Sequence, residues 1–360
     1  MLKTYSNIYE INTRVWLREL SDKYKTHISL SNIPDNELRK LKDFGFDAVW
    51  LMGIWEPSAI SRSIALRNIH LINEYRVPLP DLTSGDIVSS PYAVKEYKVS
   101  GILGSKNDLA LLKKSLNKLG IKLILDFVPN HAAIDNVWVR TNPDFFIQGT
   151  LDDFRVSSDR FFVTPGYEDI IFAHGKDPYF PAWWDTIQLN YFNKDLRKEM
   201  AKILLDIASI SDGVRCDMAM LVLNRIQKSI WKERLFGRGK FSEPKKEFWP
   251  DAINEVKSKY PGFIFIAESY WNTEKELFSF GFDYAYDKPL YDALQYEDIE
   301  SMRAHFARPP DEQARLVRFI ENHDEPRAVF AYGVDKSKAA ITLISFMPGM
   351  HLFYEGELEG

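Results

Sequence analysis

The chain is poor in several of the features that would place it quickly. It has one cysteine in 360 residues, Cys216, which excludes an internal disulfide framework. Cys216 follows Arg215 within an apolar run, where a small hydrophobe is expected rather than a nucleophile. No apolar run approaches the roughly 20 residues needed to span a bilayer. Residues 1–10 carry no apolar core and no cleavage-like site, so no secretory signal is read there and the expected location is cytoplasmic. A surplus of positive charge is also lacking. The net charge is −5, which gives no reason to expect nucleic acid or an anionic membrane as partner. No tandem repeat or low-complexity stretch interrupts the composition. The seven histidines show no ligand-like spacing, and His131, His174 and His323 stand far apart.

What is present is a globular composition, 45% hydrophobic and 27% charged, on a chain long for one ordinary domain. Aromatics reach 14%; their faces pack cores and also stack on sugar rings, so they lean only weakly toward carbohydrate. Strand and helix signals alternate, which argues for parallel βα units. Strands are expected near residues 8–16, 48–53, 122–128, 213–217, 263–267, 283–286, 317–321 and 351–354. Helical patterns fall between them at 34–44, 108–119, 195–210 and 336–346. Pro34 is read as a first-turn residue and Gly120 as a C′ residue. Two stretches break the rhythm: residues 56–99, too long for a simple βα connection, and residues 132–193, rich in aromatics, proline and aspartate.

Four of the expected strands end in a carboxylate. They close with Asp126-Phe127-Val128-Pro129-Asn130-His131, with Gly213-Val214-Arg215-Cys216-Asp217, with Ala267-Glu268 and with Asn322-His323-Asp324. A barrel of parallel strands gathers its strand tips on one face, where active sites of such barrels sit. Four acidic tips therefore predict one shared acidic pocket. Strand side chains alternate, so Arg215 and Asp217 point the same way, and the guanidinium is expected to lower the pKa of the carboxyl. A structural ion pair would look the same. Glu268 ends an almost wholly apolar strand, and desolvation there should keep a proton on it near neutral pH, as a general acid needs.

The order and spacing of these four motifs resemble the signature regions of the alpha-amylase family, glycoside hydrolase family 13, over nearly the whole chain. The resemblance implies an α/β fold, a (β/α)8 TIM barrel with an inserted domain B between strand 3 and helix 3. Residues 1–131 would supply strands 1–3, residues 132–193 the insertion, and residues 194–360 strands 4–8. The family's final helix and C-terminal β-domain are read as missing after Gly360, which is expected to leave apolar barrel surface near Phe353 and strand 1 open to water.

The resemblance also implies roles. Asp217 is the nucleophile held by Arg215, Glu268 the acid/base, and Asp324 the third acidic residue. His323, His131 and, more loosely aligned, Tyr92 contact the reacting sugar, and Asp126 orients Arg215. No cofactor is required. In calcium-dependent members the residue matching Asn130 binds a structural calcium, with Asp152, Asp153 or Asp159 as further oxygen donors here. Gln188-Leu189-Asn190 resembles the family's fifth motif. Trp50, Trp55, Trp183, Trp184 and Trp271 are candidate stacking residues, with core packing the competing reading for each. One departure is that Met220 and Leu221 stand where starch-acting members often carry Lys-His, so fewer polar contacts are expected for the leaving-group sugar. The implied activity is retaining cleavage of α-glucosidic bonds in oligo- or polysaccharides, with an α-glucan or α-glucoside as partner. Alternatives are a transglycosylase or disaccharide-rearranging enzyme, a non-catalytic sugar-binding or scaffold protein, and a metal-dependent hydrolase.

Overall fold

In a computed structural model, which describes residues 5–164 and 167–359, eight parallel strands close into a barrel. They are β1 (Tyr5–Asn12), β2 (Ala48–Met52), β3 (Lys122–Phe127), β4 (Gly213–Cys216), β5 (Ile264–Ala267), β6 (Tyr284–Tyr286), β7 (Leu316–Arg318) and β8 (Gly349–Tyr354). Each pairs with its sequence neighbours, and β8 pairs with β1 from Tyr5↔Gly349 to Glu10↔Tyr354. The strands are apolar on both faces, as strands covered on both sides must be. Alternation sorts their side chains into two cores. Ile8, Trp50, Ile124, Ile266 and Val317 fill the interior, while Ile11, Val49, Leu51, Leu125 and Phe265 face the helices.

Several boundaries differ from the sequence reading. The first strand ends at Asn12, not residue 16, because the Asn12 side chain accepts from the Val15 backbone N–H (3.5 Å) and caps a helix over Thr13–Tyr24. Pro34 is the N-cap of the Asp35–Asp43 helix, outside its first turn. The next helix starts at Lys106 because Ser105 and Asp108 form a reciprocal capping box. Gly120 follows its end at φ +78°, as a C′ residue requires.

The ring of strands is complete. Phe353 is half-buried, with Phe46 edge-on at 5.7 Å and Tyr9 stacked on Phe46 at 4.6 Å. Gly360 lies outside the described residues.

Both long connections fold over the tips of the strands. The first carries an antiparallel pair, Trp55–Pro57 with Val94–Val99, and two helices, Ala59–Arg67 and Ile69–Arg76. The second carries the antiparallel pairs Phe161–Thr164 with Tyr167–Ala173 and His131–Ala133 with Thr186–Gln188. Ser61 Oγ of the first donates to Asp185 of the second (2.6 Å), tying the two together. No helix among the described residues is long and apolar enough to cross a membrane.

Candidate active site

The tips of β3, β4, β5 and β7 meet around one side chain. Arg215 leaves β4 into the barrel mouth and is 1% exposed. Its Nη1 lies 2.9 Å from Asp217 Oδ1 and 3.7 Å from Asp126 Oδ1, and its Nη2 lies 2.8 Å from Glu268 Oε1. The guanidinium sits among the rings of Trp50, Tyr92 and Tyr286, 5.0, 5.2 and 5.5 Å from their centroids. Nε donates to the Tyr286 hydroxyl (3.3 Å). A planar fork that bridges two carboxylates is a task for arginine, not lysine. The predicted pairing of Arg215 with Asp217 is therefore present, and Glu268 joins it.

The second cation is His323. Its Nδ1 is 2.5 Å from Glu10 Oε1, and its Nε2 is 2.7 Å from the Tyr92 hydroxyl and 3.1 Å from Asp324 Oδ2. Burial alone would discharge the ring, but Glu10 and Asp324 outweigh it and raise its pKa to about 10, so it is an imidazolium. Enclosure raises Asp324, but the charge and hydrogen bond of His323, joined by the charge of Arg215, together lower it by more, and it ends below the ordinary carboxylate value. Its side chain is 48% exposed in the open cleft.

Asp217 behaves differently from the sequence expectation. Arg215 does lower its pKa, but burial, then the charge of Glu268, raise it by more, and the net direction is well above the usual range. Burial likewise raises Asp126 to about 7 and raises Glu10. Five carboxyl groups, Glu10, Asp126, Asp217, Glu268 and Asp324, thus face two cations. Full ionisation of such a set is costly where most of its members are buried. Burial favours the neutral form of Asp217 and of Asp126 within that set.

Above these groups opens a cleft of about 1060 Å³. Asp217, Glu268, Asp324, Tyr92, His131 and Trp183 line it, together with Tyr270, Trp271, Lys288 and Glu325. His131 stays neutral, since burial lowers its pKa to about 3, and its ring packs 4.9 Å from Trp183. Other expected contributors lie elsewhere. Trp50 is buried beneath Arg215, Trp55 donates to the Asp126 carbonyl (2.8 Å) from the core, and Trp184 is 59% exposed outside the cleft lining. Met220 and Leu221 are fully buried on a short helical turn, so they are core residues and not part of the leaving-group wall. Burial raises the Cys216 thiol well above its usual value, which agrees with a packing role.

Asn130 is engaged by the insertion. Its carbonyl and its Oδ1 both accept from Gln188 Nε2 (2.9 Å each), so the fifth motif fastens the insertion to the tip of β3. Asp153 is paired with Arg234 and caps its own helix through Thr150, while Asp152 is paired with Arg155 on the surface. Calcium takes six to eight oxygens. Among the described residues no group of three or more His, Cys, Asp or Glu could hold a metal.

Sequence reasoning missed Glu10, Tyr270 and Tyr286. Glu10 had a readable signal: a carboxylate inside an apolar strand, on the inward face shared with Ile8. Tyr286 shares its type with many core residues, and Tyr270 becomes meaningful only once its hydroxyl is seen 3.0 Å from Glu268 Oε1.

Comparison with known proteins agrees with this geometry. The description "alpha amylase, catalytic domain" matches residues 33–360. Alpha-amylase MalA of Haloarcula japonica is 24% identical over 98% of this chain and 44% of its own length. Alpha-amylase 3 of Dictyoglomus thermophilum is 24% identical over 72% of this chain and 52% of its own. The chain thus spans about half the length of these curated relatives. Among solved structures, an alpha-amylase from Lactobacillus plantarum superposes with a TM-score of 0.62 at 23% identity, over 98% of this chain and 72% of its own. A trehalose-6-phosphate hydrolase from Bacillus licheniformis superposes at 0.68 with 17% identity, over 98% and 65%. These likenesses show a shared fold. With the family match over residues 33–360 and the eight-stranded barrel, they establish that this chain belongs to the alpha-amylase family.

Proposed function

We propose that the protein is a retaining glycosidase that cleaves α-glucosidic bonds of oligo- or polysaccharides. One observation carries the reading. A single buried guanidinium bridges Asp217 and Glu268 at the floor of an open cleft, at 2.9 and 2.8 Å. Retaining pairs stand about 5 Å apart and inverting pairs roughly 6.5–9.5 Å. Two carboxylates on one guanidinium fork favour the closer spacing.

Asp217 attacks the anomeric carbon while Glu268, as general acid, passes a proton to the departing oxygen. The glycosyl ester on Asp217 is then opened by water, which gives its proton back to Glu268. Asp324 and the His323 imidazolium bind hydroxyls of the reacting sugar, Tyr92 and His131 wall its ring, and Asp126 holds Arg215 from behind. We read residues 132–193 as a domain B-like insertion between barrel parts 1–131 and 194–360, supported by its clasp on Asn130 through Gln188.

A second reading, transfer of the glycosyl group to another sugar, uses the same site, because the acceptor alone decides. It is favoured by exposed aromatics at the cleft rim, where Tyr179 stands edge-on to Trp271 at 4.9 Å. The test is incubation with a panel of α-glucosides, with NMR of the first-formed product. Retained α-configuration is expected; an inverted product or no turnover of any α-glucoside refutes the reading. Product length with added acceptor separates transfer from hydrolysis.

A further inference from the structure

We propose that Tyr270 is a positioning residue that holds Glu268 in its acid/base geometry, as one of two hydrogen-bond donors to its carboxylate, the other being the peptide N–H of Met218, beside the charge of the Arg215 guanidinium. The proposal deepens the glycosidase reading and rests on it. The Tyr270 hydroxyl donates to Glu268 Oε1 (3.0 Å), the Met218 N–H donates to Oε2 (2.6 Å), and Arg215 Nη2 lies 2.8 Å from Oε1.

Both neighbouring backbones are bent to make these contacts. Met218 is left-handed (φ 40°, ψ 48°), a conformation uncommon outside glycine, and that turn directs its N–H toward Glu268. The turn is fastened on both sides, by the Asp217 N–H on the Phe127 carbonyl (2.9 Å) and the Ala219 N–H on the Glu268 carbonyl (3.0 Å). Beyond Tyr270, Trp271 and Asn272 are both left-handed (φ 57° and 58°). Thr273 then returns to the Tyr270 carbonyl through its N–H (3.2 Å) and its Oγ1 (2.7 Å). Strain of this kind persists only where the surroundings over-determine it, and it clusters at functional sites.

The other charged or titratable groups around Glu268 are Arg215 and Asp217 from β4, Tyr286 from β6 and Asp324 beyond β7. Burial keeps the Tyr270 phenol protonated far above neutral pH, so it remains a donor throughout the working range. A donor to a carboxylate favours its ionised form, so losing one moves deprotonation to higher pH.

The test is Tyr270→Phe, which removes one oxygen from a residue that otherwise keeps its shape. The alkaline limb of kcat/KM against pH is expected to move up by about one pH unit, the worth of one hydrogen bond to a charged group. Turnover of unactivated α-glucosides should fall roughly 10–100-fold, and that of an activated 4-nitrophenyl α-glucoside by less. A residue with a merely structural role would lower both alike and leave the limb in place, and that result overturns the proposal. The same question can be put without turnover, by 13C NMR of protein labelled at glutamate carboxyls, with the Glu268 signal identified by its loss in Glu268→Gln. A midpoint displaced upward in Tyr270→Phe supports the proposal, and an unchanged midpoint sinks it. If the wild type cleaves no α-glucoside, the glycosidase reading fails, and the NMR titration still decides the role of Tyr270.

Discussion

Replacing Glu10 by glutamine tests the electrostatic core of the site with a near-isosteric change. His323 is raised from 6.5 to about 10 against the opposing effect of burial. At 1.36 kcal/mol per unit the net rise is worth roughly 5 kcal/mol. The charge of Glu10 is the largest single cause that raises the His323 pKa, and Glu10 is itself wholly buried, so solvent screens the pair little. Removing its charge should therefore lower the His323 pKa by roughly two units, to about 8. The sign follows directly. The imidazolium is lost as pH rises through the folded-state pKa, so activity that depends on it fails through about 8 in the variant and only near 10 in the wild type. At pH 9 about nine tenths of the wild-type rings carry a charge, against about one tenth in the variant. The loss in kcat/KM should thus be about tenfold greater at pH 9 than at pH 6. Stability moves the same way. The contribution of the raised histidine is full below 6.5 and is lost as pH rises through the folded-state value. Titration of the His323 ring by 15N NMR, beside the pH–rate profile, measures both. Equal fold-loss at every pH with an unmoved His323 titration would refute the reasoning.

Three further outcomes follow from the geometry. Asp217→Asn removes the attacking charge while keeping shape, and turnover should drop on the order of 10⁴-fold in steady-state assays; near-normal activity would remove Asp217 from the nucleophile's role. Glu268→Gln should cost about 10³-fold on natural α-glucosides and far less on activated aryl glycosides, with partial rescue by azide; equal loss on both substrate types argues against an acid/base role. Gly349→Ala should destabilise the fold by more than about 3 kcal/mol in urea melts. Its φ is 125°, and a Cβ there would lie 2.5 Å from the Leu316 carbonyl and 2.6 Å from Arg318 Nη1; a wild-type melt would show that β8 can shift to accommodate it.

Much of the architecture was legible because its signals are local. Residues 122–127 and 264–267 are runs of large apolar residues bounded by polar turns, and a strand buried on both faces must look like that. Asp217 and Glu268 were legible because each directly follows a strand, whereas Asp324 stands six residues beyond β7. What failed was what depends on partners distant in sequence. Residues 13–16 looked like strand until Asn12 was seen to cap a helix. Met220 and Leu221 looked like cleft residues by position, but the left-handed turn at Met218 sends them into the core. The direction of the Asp217 shift was misjudged because Arg215 lies two residues away in sequence, whereas the burial that raises it most, and then the charge of Glu268, come from other parts of the chain. Glu10 joins His323 across 313 residues of chain, a separation no local pattern reports.

That last contact ties the closure of the barrel to its chemistry. Glu10 lies near the end of β1, where its backbone pairs with Tyr354 of β8 on one side and Trp50 of β2 on the other. Its carboxylate reaches His323 only because β8, lying between β1 and β7, completes the ring. Trp50, its neighbour in register, floors the same site, 5.0 Å from the Arg215 guanidinium and edge-on to His323 at 5.5 Å. The two cations are thus held by residues of the first two strands as much as by the four acidic tips. A distortion at the β1–β8 seam should therefore reach the charge state of His323 before it unravels the fold. Substitutions at that seam would then alter the alkaline limb of activity at temperatures where the barrel still melts as one unit.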